Sequence, residues 1–175
     1  VPHEKIGNQM QGGVFELPIP TFSTGVMRGR FNPGDGQLYA CGLSAWGSAQ
    51  PELGGFYRIR YNGEKTIVPL SLHVLANGIR IRFSHELNKN NVEDITSYQV
   101  QTWDLKRSRK YGSDHYNTKP LIVKNATLSK DRKEIFLNIM DVKPTNVMEV
   151  KFQFLDDTGK PVKGLIQNTI NQIGK

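Results

Sequence analysis

The residues best suited to binding chemistry lie in one basic and aromatic segment, residues 103–116. Its sequence is WDLKRSRKYGSDHY, with four positive charges within five residues and aromatic rings on both sides. Cations attract anionic groups, and flat rings stack on sugars or bases. A solvated loop between two strands is the commoner origin of such a charge run. The candidate ligand-binding residues are Trp103, Arg107, Arg109, Tyr111, His115 and Tyr116.

A second candidate is a pair of strands with alternating arginines. Arg28 and Arg30 are two residues apart, as are Arg58 and Arg60, so each pair faces one side of its strand. If the strands are neighbours, four guanidinium groups meet and can bind a carboxylate or phosphate. A polar outer face with weak ion pairs is the commoner arrangement. We keep Arg28 and Arg30 as candidate ligand-binding residues.

The sequence lacks the usual signatures of catalysis and metal binding. It contains no Gly-x-Ser-x-Gly, no Walker loop and no dinucleotide-binding turn. The four histidines are far apart, and one cysteine cannot build a disulfide framework or a cysteine-rich zinc site. Cys41 lies in an apolar strand, where we expect a buried, inert thiol. We therefore predict no catalytic residue, no metal and no cofactor.

Length and composition indicate a folded globular protein. The 175 residues are 37% hydrophobic and 22% charged, without a biased segment. No apolar run approaches the roughly 18–20 residues of a membrane helix, so we predict no membrane span. The first residues lack the basic and apolar regions of a signal peptide, and we expect a processed or excised segment.

The net charge of +7 is concentrated in one stretch. Residues 106–133 carry nine basic and two acidic side chains, which accounts for the whole excess. A basic patch suits phosphates, acidic glycans and acidic proteins. Nucleic acid is one such partner, and that hypothesis predicts an affinity that falls steeply with salt.

Strand-like alternation recurs along the chain, and long helical periodicity is nearly absent. Apolar residues alternate with polar ones at 79–83, 135–139 and 148–154. Further strands are predicted at 98–103 and 121–123. Asn77-Gly78 predicts a tight hairpin, and similar turns are expected at 35–36 and 157–159. Only short helical turns are expected, within 86–96 and 167–174.

These elements predict an all-β protein with two parts. Residues 1–67 contain about four strand candidates, the number in one propeller blade. Residues 68–175 contain about seven, which is typical of an immunoglobulin-like sandwich. We therefore predict a blade-like antiparallel meander packed on an immunoglobulin-like β-sandwich, with the boundary at residues 67 and 68.

Several segments resemble a known family. They are GGVFELP at 12–18, GVMRGRFNP at 25–33, DGQLY at 35–39, Trp46 and GGFYRIRY at 54–61, followed by residues 98–105, 111–116 and 144–145. The chain resembles the end of the dehydrogenase-like β-propeller in large secreted multidomain proteins. That propeller is similar to those of quinone-dependent sugar dehydrogenases and is often joined to a c-type haem domain. From about residue 70 the chain also looks like the immunoglobulin-like repeats of bacterial surface proteins.

The resemblance implies an accessory module. The haem-attachment motif Cys-x-x-Cys-His is missing, and one blade supplies only a fraction of a quinone or sugar site. We expect a non-catalytic extracytoplasmic module, secreted, periplasmic or on the cell surface. Its expected partners are neighbouring domains of a larger secreted protein and a glycan or protein, whereas nucleic acid is disfavoured.

The alternative is part of a carbohydrate-active or sugar-oxidising enzyme site. Such a site would use Arg28, Arg30, Asp114 and His115. It predicts a deep pocket between the two parts that contains a carboxylate of raised pKa.

Overall fold

The computed structural model of the protein describes residues 2–44 and 50–174, and these residues form an all-β fold. The helical content of the described residues is one short helix, α1 (Lys89–Val92), and one 3₁₀ turn, Ile95–Ser97. The strands are β1 (His3–Ile6), β2 (Gln9–Phe15), β3 (Val26–Phe31), β4 (Leu38–Leu43), β5 (Gly54–Ile59), β6 (Pro69–Leu75), β7 (Gly78–Phe83), β8 (Tyr98–Asp104), β9 (Tyr116–Leu121), β10 (Val123–Leu128), β11 (Glu134–Ile139), β12 (Thr145–Leu155) and β13 (Pro161–Ile170). Trp46 lies outside the described residues.

The larger of two compact units contains two antiparallel sheets. It combines Val1–Leu17 with Thr66–Lys175. One sheet has the strand order β1-β2-β13-β12-β8-β9, and the other has the order β10-β11-β7-β6. Buried residues of both sheets belong to one hydrophobic cluster, so the unit is a β-sandwich.

The core of the sandwich follows from the alternation in the sequence. Ile79, Ile81 and Phe83 of β7 are buried, while the arginines between them point away from the core. The Phe83 ring meets the rings of Phe152 and Phe154 on β12 edge to face, with centroids 5.5 and 5.8 Å away. Aromatic pairs in this geometry add to the stabilisation from burial.

Most of the predicted strands and turns are present. The three alternating segments form β7, β11 and β12, and the segment at 98–103 forms β8. The predicted tight hairpin joins β6 to β7 through Gly78, whose φ of 152° favours glycine.

Two local predictions were wrong. Residues 121–123 are not one strand, because β9 ends at Leu121 and β10 begins at Val123 in the other sheet. The helical turn predicted within 167–174 is absent from this described segment, because β13 continues to Ile170 in a ladder with β12.

The division into two units differs from the predicted boundary at residues 67 and 68. The first 17 residues belong to the sandwich, where β2 pairs with β13. The Glu4 carboxylate contacts the His73 ring and accepts a hydrogen bond from the Val74 amide at 3.2 Å. Buried Gln11 accepts hydrogen bonds from the amides of Asn171 and Gln172 at 2.8 and 2.9 Å. These long-range contacts attach the N-terminal hairpin to both ends of the later chain.

The smaller unit, Pro18–Lys65, contains a three-stranded antiparallel sheet in the order β3-β4-β5. The predicted blade had four strands, but its first strand pairs with β13 of the sandwich instead. Among the described residues of this unit, Thr24 and Ala40 are the buried ones. The sheet is therefore a meander with a very small interior.

Asn168 of β13 provides a test of the sandwich core. It is buried, and neither polar atom of its side chain has a hydrogen-bond partner among the described residues. Because a buried unpaired amide costs about 1–3 kcal/mol, we expect Asn168→Leu, which keeps the branched shape, to raise the free energy of unfolding by about 1 kcal/mol. Urea titration measures this change. Exposed Asn125→Leu is the control and should change stability by less than about 0.5 kcal/mol; a destabilised Asn168→Leu protein contradicts the prediction.

Candidate binding site

The basic loop, residues 105–115, connects β8 to β9 at one end of the sandwich. Its first residue, Leu105, donates its backbone N–H to the Asn146 side chain at 2.9 Å. The Lys106 amide donates to the Ser113 hydroxyl at 2.9 Å, and that hydroxyl donates to the Asp114 carbonyl at 2.8 Å. The two ends of the loop are therefore tied together and to β12.

Trp103 lies beneath this loop. Only 4% of its surface is exposed, and its ring stacks on His115 with centroids 4.2 Å apart and planes 13° from parallel. The sequence pattern suggested that Trp103 offers its ring to a ligand, but the ring is covered by the loop itself. Trp103 and His115 together fix the loop on the sheet, which corrects the expected role of Trp103.

The other two rings of the loop differ in exposure. Tyr116 has the Lys106 ammonium 4.2 Å from its ring centroid, so an internal cation occupies that face. Tyr111 is fully exposed, at 103%. Of the aromatic residues predicted to bind, Tyr111 is the one with its ring free for a partner.

The cations of the loop are largely unpaired. Lys110 forms a 3.4 Å ion pair with Asp114, and both side chains are more than two-thirds exposed. Arg107 and Arg109 are exposed, and no carboxylate partner faces them among the described residues. The loop therefore presents two free guanidinium groups and a free phenol.

A small cleft at the base of the loop adds to this positive charge. The cleft has a volume of about 170 Å³, and Trp103, Lys119, Asp141 and Lys143 are among its lining residues. Lys119 and Lys143 each contact the Asp141 carboxylate at 2.6 Å. Hydrogen bonds from Lys119 and then Lys143 lower the pKa of Asp141 to about 2. One carboxylate thus neutralises two ammonium groups, and one positive charge remains.

The arginines of the smaller unit lie on one face of its sheet but not on adjacent strands. Arg30 and Arg58 flank Tyr39 of the central strand in register, and Arg28 pairs with Cys41. The Arg28 and Arg30 guanidiniums donate to the carbonyls of their preceding residues, at 2.8 and 3.1 Å. The predicted cluster is therefore a row of arginines separated by the central strand.

Cys41 corrects a further expectation. It was predicted to be buried, but it is exposed on the arginine face, because Ala40 takes the inward position in β4. The rings of Tyr39 and Phe56 stack on the same face with centroids 5.7 Å apart.

A second concave site was missed by the sequence analysis. A groove of about 410 Å³ lies where β9 leaves the first sheet, and Gln99, Gln101, Glu149 and Lys151 form its polar side. Burial opposes ionisation of Glu149, but hydrogen bonds from Gln167, Gln101 and Lys151 outweigh it and hold its pKa below the usual value. A carboxyl group with a lowered pKa is ionised at neutral pH and does not act as a general acid there. Alternating polar residues signalled an exposed sheet face, but no spacing in the sequence placed the two strands side by side.

Metal and membrane features were also examined in the described part of the chain. Within residues 2–44 and 50–174, no group of three or more His, Cys, Asp or Glu side chains is arranged to hold a metal ion. No helix in the same residues is long and apolar enough to cross a membrane. The enzyme alternative that uses Arg28, Arg30, Asp114 and His115 stays a prediction.

Comparison of the chain with family models, curated proteins and solved structures found no match. The resemblance to sugar-dehydrogenase-like propeller proteins therefore rests on the sequence segments alone.

The stack between Trp103 and His115 can be tested directly. In a Trp46→Phe background, Trp103 is the only tryptophan. We expect His115→Ala to shift its fluorescence to the red, to increase acrylamide quenching and to cost about 1 kcal/mol of stability, because an aromatic pair contributes about 0.5–1.5 kcal/mol beyond burial. Tyr111→Ala in the same loop should leave both signals unchanged. Equal quenching in the His115→Ala and parent proteins would show that the stack does not cover Trp103.

Proposed function

We propose that the chain is a non-catalytic extracytoplasmic accessory module of a large secreted protein. The smaller unit docks on a neighbouring domain, and the sandwich presents its basic loop to an acidic glycan. The observation that carries the proposal is the exposure of large apolar side chains on a sheet that buries almost nothing itself. Phe31, Leu53 and Phe56 are 72%, 86% and 73% exposed.

The docking part follows from the energetics of small sheets. An isolated β-meander needs a packed apolar face to be stable, and domains of this size bury too little surface to fold easily alone. Thr24 and Ala40 are the buried residues among those described in this unit. A second protein layer over the sheet would bury the exposed rings, as neighbouring blades do in a propeller. This fits the resemblance of residues 12–61 to the end of a propeller.

The strand order of the sandwich supports an immunoglobulin-like assignment. In that fold, four strands follow the order A-B-E-D, and the facing sheet contains G, F and C, with C′ added in some members. The order β6-β7-β11-β10 faces β13-β12-β8-β9, which is the same arrangement with β1 and β2 added at one edge. Such sandwiches commonly use the loops at their ends for recognition.

The basic loop fits an acidic glycan. Its free groups are Arg107, Arg109 and Tyr111, which combine two planar anion-binding forks with one ring. Internal contacts cover Trp103 and one face of Tyr116, so the loop lacks the row of open rings on which successive bases of a single strand stack. Uronate or sulfate groups need the forks more than the stacking.

Exposed rings of the small sheet give the first test. In the isolated chain, Phe31→Ser with Phe56→Ser should reduce the fluorescence of bound anilinonaphthalene sulfonate without lowering Tm, because neither ring is buried. In the full encoded protein, the same double variant should lower Tm by several degrees, because the rings would then lie in an interface. Tyr111→Ser is a control with an equally exposed ring and should leave Tm unchanged in both proteins. Docking is contradicted if the double variant leaves the Tm of the full protein unchanged, or if that protein contains no further domain.

The loop gives the second test. Arg107→Ala with Arg109→Ala should weaken binding to immobilised heparin or alginate about tenfold, since each lost charged hydrogen bond is worth about 1.5–3 kcal/mol in part offset by water. Lys124→Ala with Lys130→Ala removes the same net charge from exposed positions elsewhere and should have a much smaller effect. Equal losses in the two double variants would indicate attraction by net charge alone. Tighter binding to a single-stranded oligonucleotide than to either glycan would favour a nucleic-acid partner instead.

A further inference from the structure

The groove at the start of β8 is formed by an interruption in the sheet. The pairing of β9 with β8 ends at Leu121, opposite Val100, although β8 begins two residues earlier at Tyr98. The chain then crosses to the other sheet and continues as β10. The groove of about 410 Å³ fills this place, and its size is within the roughly 300–1,000 Å³ of pockets for small ligands.

One wall of the groove is a fixed hydrogen-bonding network. Gln101 and Gln167 lie opposite Glu149 on the strands at either side of β12. Their side-chain amides donate to the two oxygens of the Glu149 carboxylate at 2.8 and 2.9 Å. Only 8% of the Glu149 side chain is exposed, so the network is rigid and partly shielded from water.

This network leaves oriented polar groups for a ligand. Gln101 uses one amide N–H on Glu149, and its amide oxygen has no partner among the described residues. Gln99, one pleat away on the same face, is exposed beside it. Lys151 holds its ammonium 3.3 Å from Glu149 while its side chain stays 54% exposed. Acceptors and donors therefore alternate along the wall, as hydroxyl groups on adjacent carbons require.

The wall carries no net charge. The carboxylate of Glu149 and the ammonium of Lys151 form an ion pair, and the remaining polar groups of the wall are amides. An ionic ligand would leave one charge of this pair without compensation, which is costly in a shielded site. Electrostatics therefore favour a neutral ligand.

The remaining surface of the groove is apolar. Tyr98, Val100, Leu121 and Val123 line its floor, and Ile95 and Pro120 lie at its sides. A sugar ring has hydroxyl groups around its edge and C–H groups on its faces, so it matches a polar wall beside an aliphatic floor. We propose that this groove is a binding site for one or two rings of a neutral carbohydrate. The site is separate from the basic loop, which follows the other end of β8, and does not depend on the proposed function of that loop.

The test is a titration of the whole chain with maltose, cellobiose, lactose and diacetylchitobiose, followed by ¹H–¹⁵N NMR. We expect at least one of these disaccharides to shift the backbone signals of Gln99 and Lys151 and the side-chain amide of Gln101. Lys151→Met and, separately, Gln99→Ala should weaken that binding about tenfold, the effect of about 1.4 kcal/mol of lost interaction. Both side chains are exposed, so neither change should prevent folding.

Lys163→Met is the matched control. Lys163 is an exposed lysine on β13, and its partner in register is Gln153 of β12, outside the groove. This variant, and the double variant of Arg107 and Arg109 to alanine, should bind the disaccharide like the parent chain. The proposal is overturned if none of the four sugars shifts the groove signals, if glucuronate binds there more tightly than glucose, or if Lys163→Met weakens binding as much as Lys151→Met.

Discussion

The packing of two apolar sheet faces against each other is the constraint on which the sandwich depends. Ile79, Ile81 and Phe83 on one sheet meet Phe152 and Phe154 on the other, and their burial excludes water from one continuous cluster. Burial of apolar area is the dominant favourable term in folding. Each strand must therefore keep one side apolar, and the other side is free to carry polar groups.

Both candidate sites of the sandwich use this freedom in different ways. The basic loop extends from the end of β8 and is attached through Trp103, which lies on the sheet beneath it. The groove uses the outward residues of β8 and β12 and the space left where β9 departs. In both places a stable framework holds polar side chains that the core does not need. Sites built on such rigid elements keep their geometry when a ligand binds.

The small sheet lacks the equivalent constraint. Its strands pair regularly from β3 to β5, so backbone hydrogen bonds define it, but its described residues bury little beyond Thr24 and Ala40. Hydrogen bonds contribute only modest net stability because the unfolded chain bonds to water. The large exposed side chains of this unit are therefore understandable as parts of an interface, whereas the exposed residues of the sandwich loop are polar and suited to recognition.

The sequence alone determined the class of fold and most of the strands, because period-two alternation and turn residues are local properties of the chain. The hairpin at Gly78 and the strands at 79–83, 135–139 and 148–154 were predictable for this reason. Tertiary structure decided which strands became neighbours. It moved the first 17 residues into the sandwich through Glu4 and Gln11, covered Trp103 with His115, and brought Gln101, Glu149 and Gln167 into one row. These contacts join residues that are distant in the chain, and their register depends on how two whole sheets pack, which no local pattern specifies.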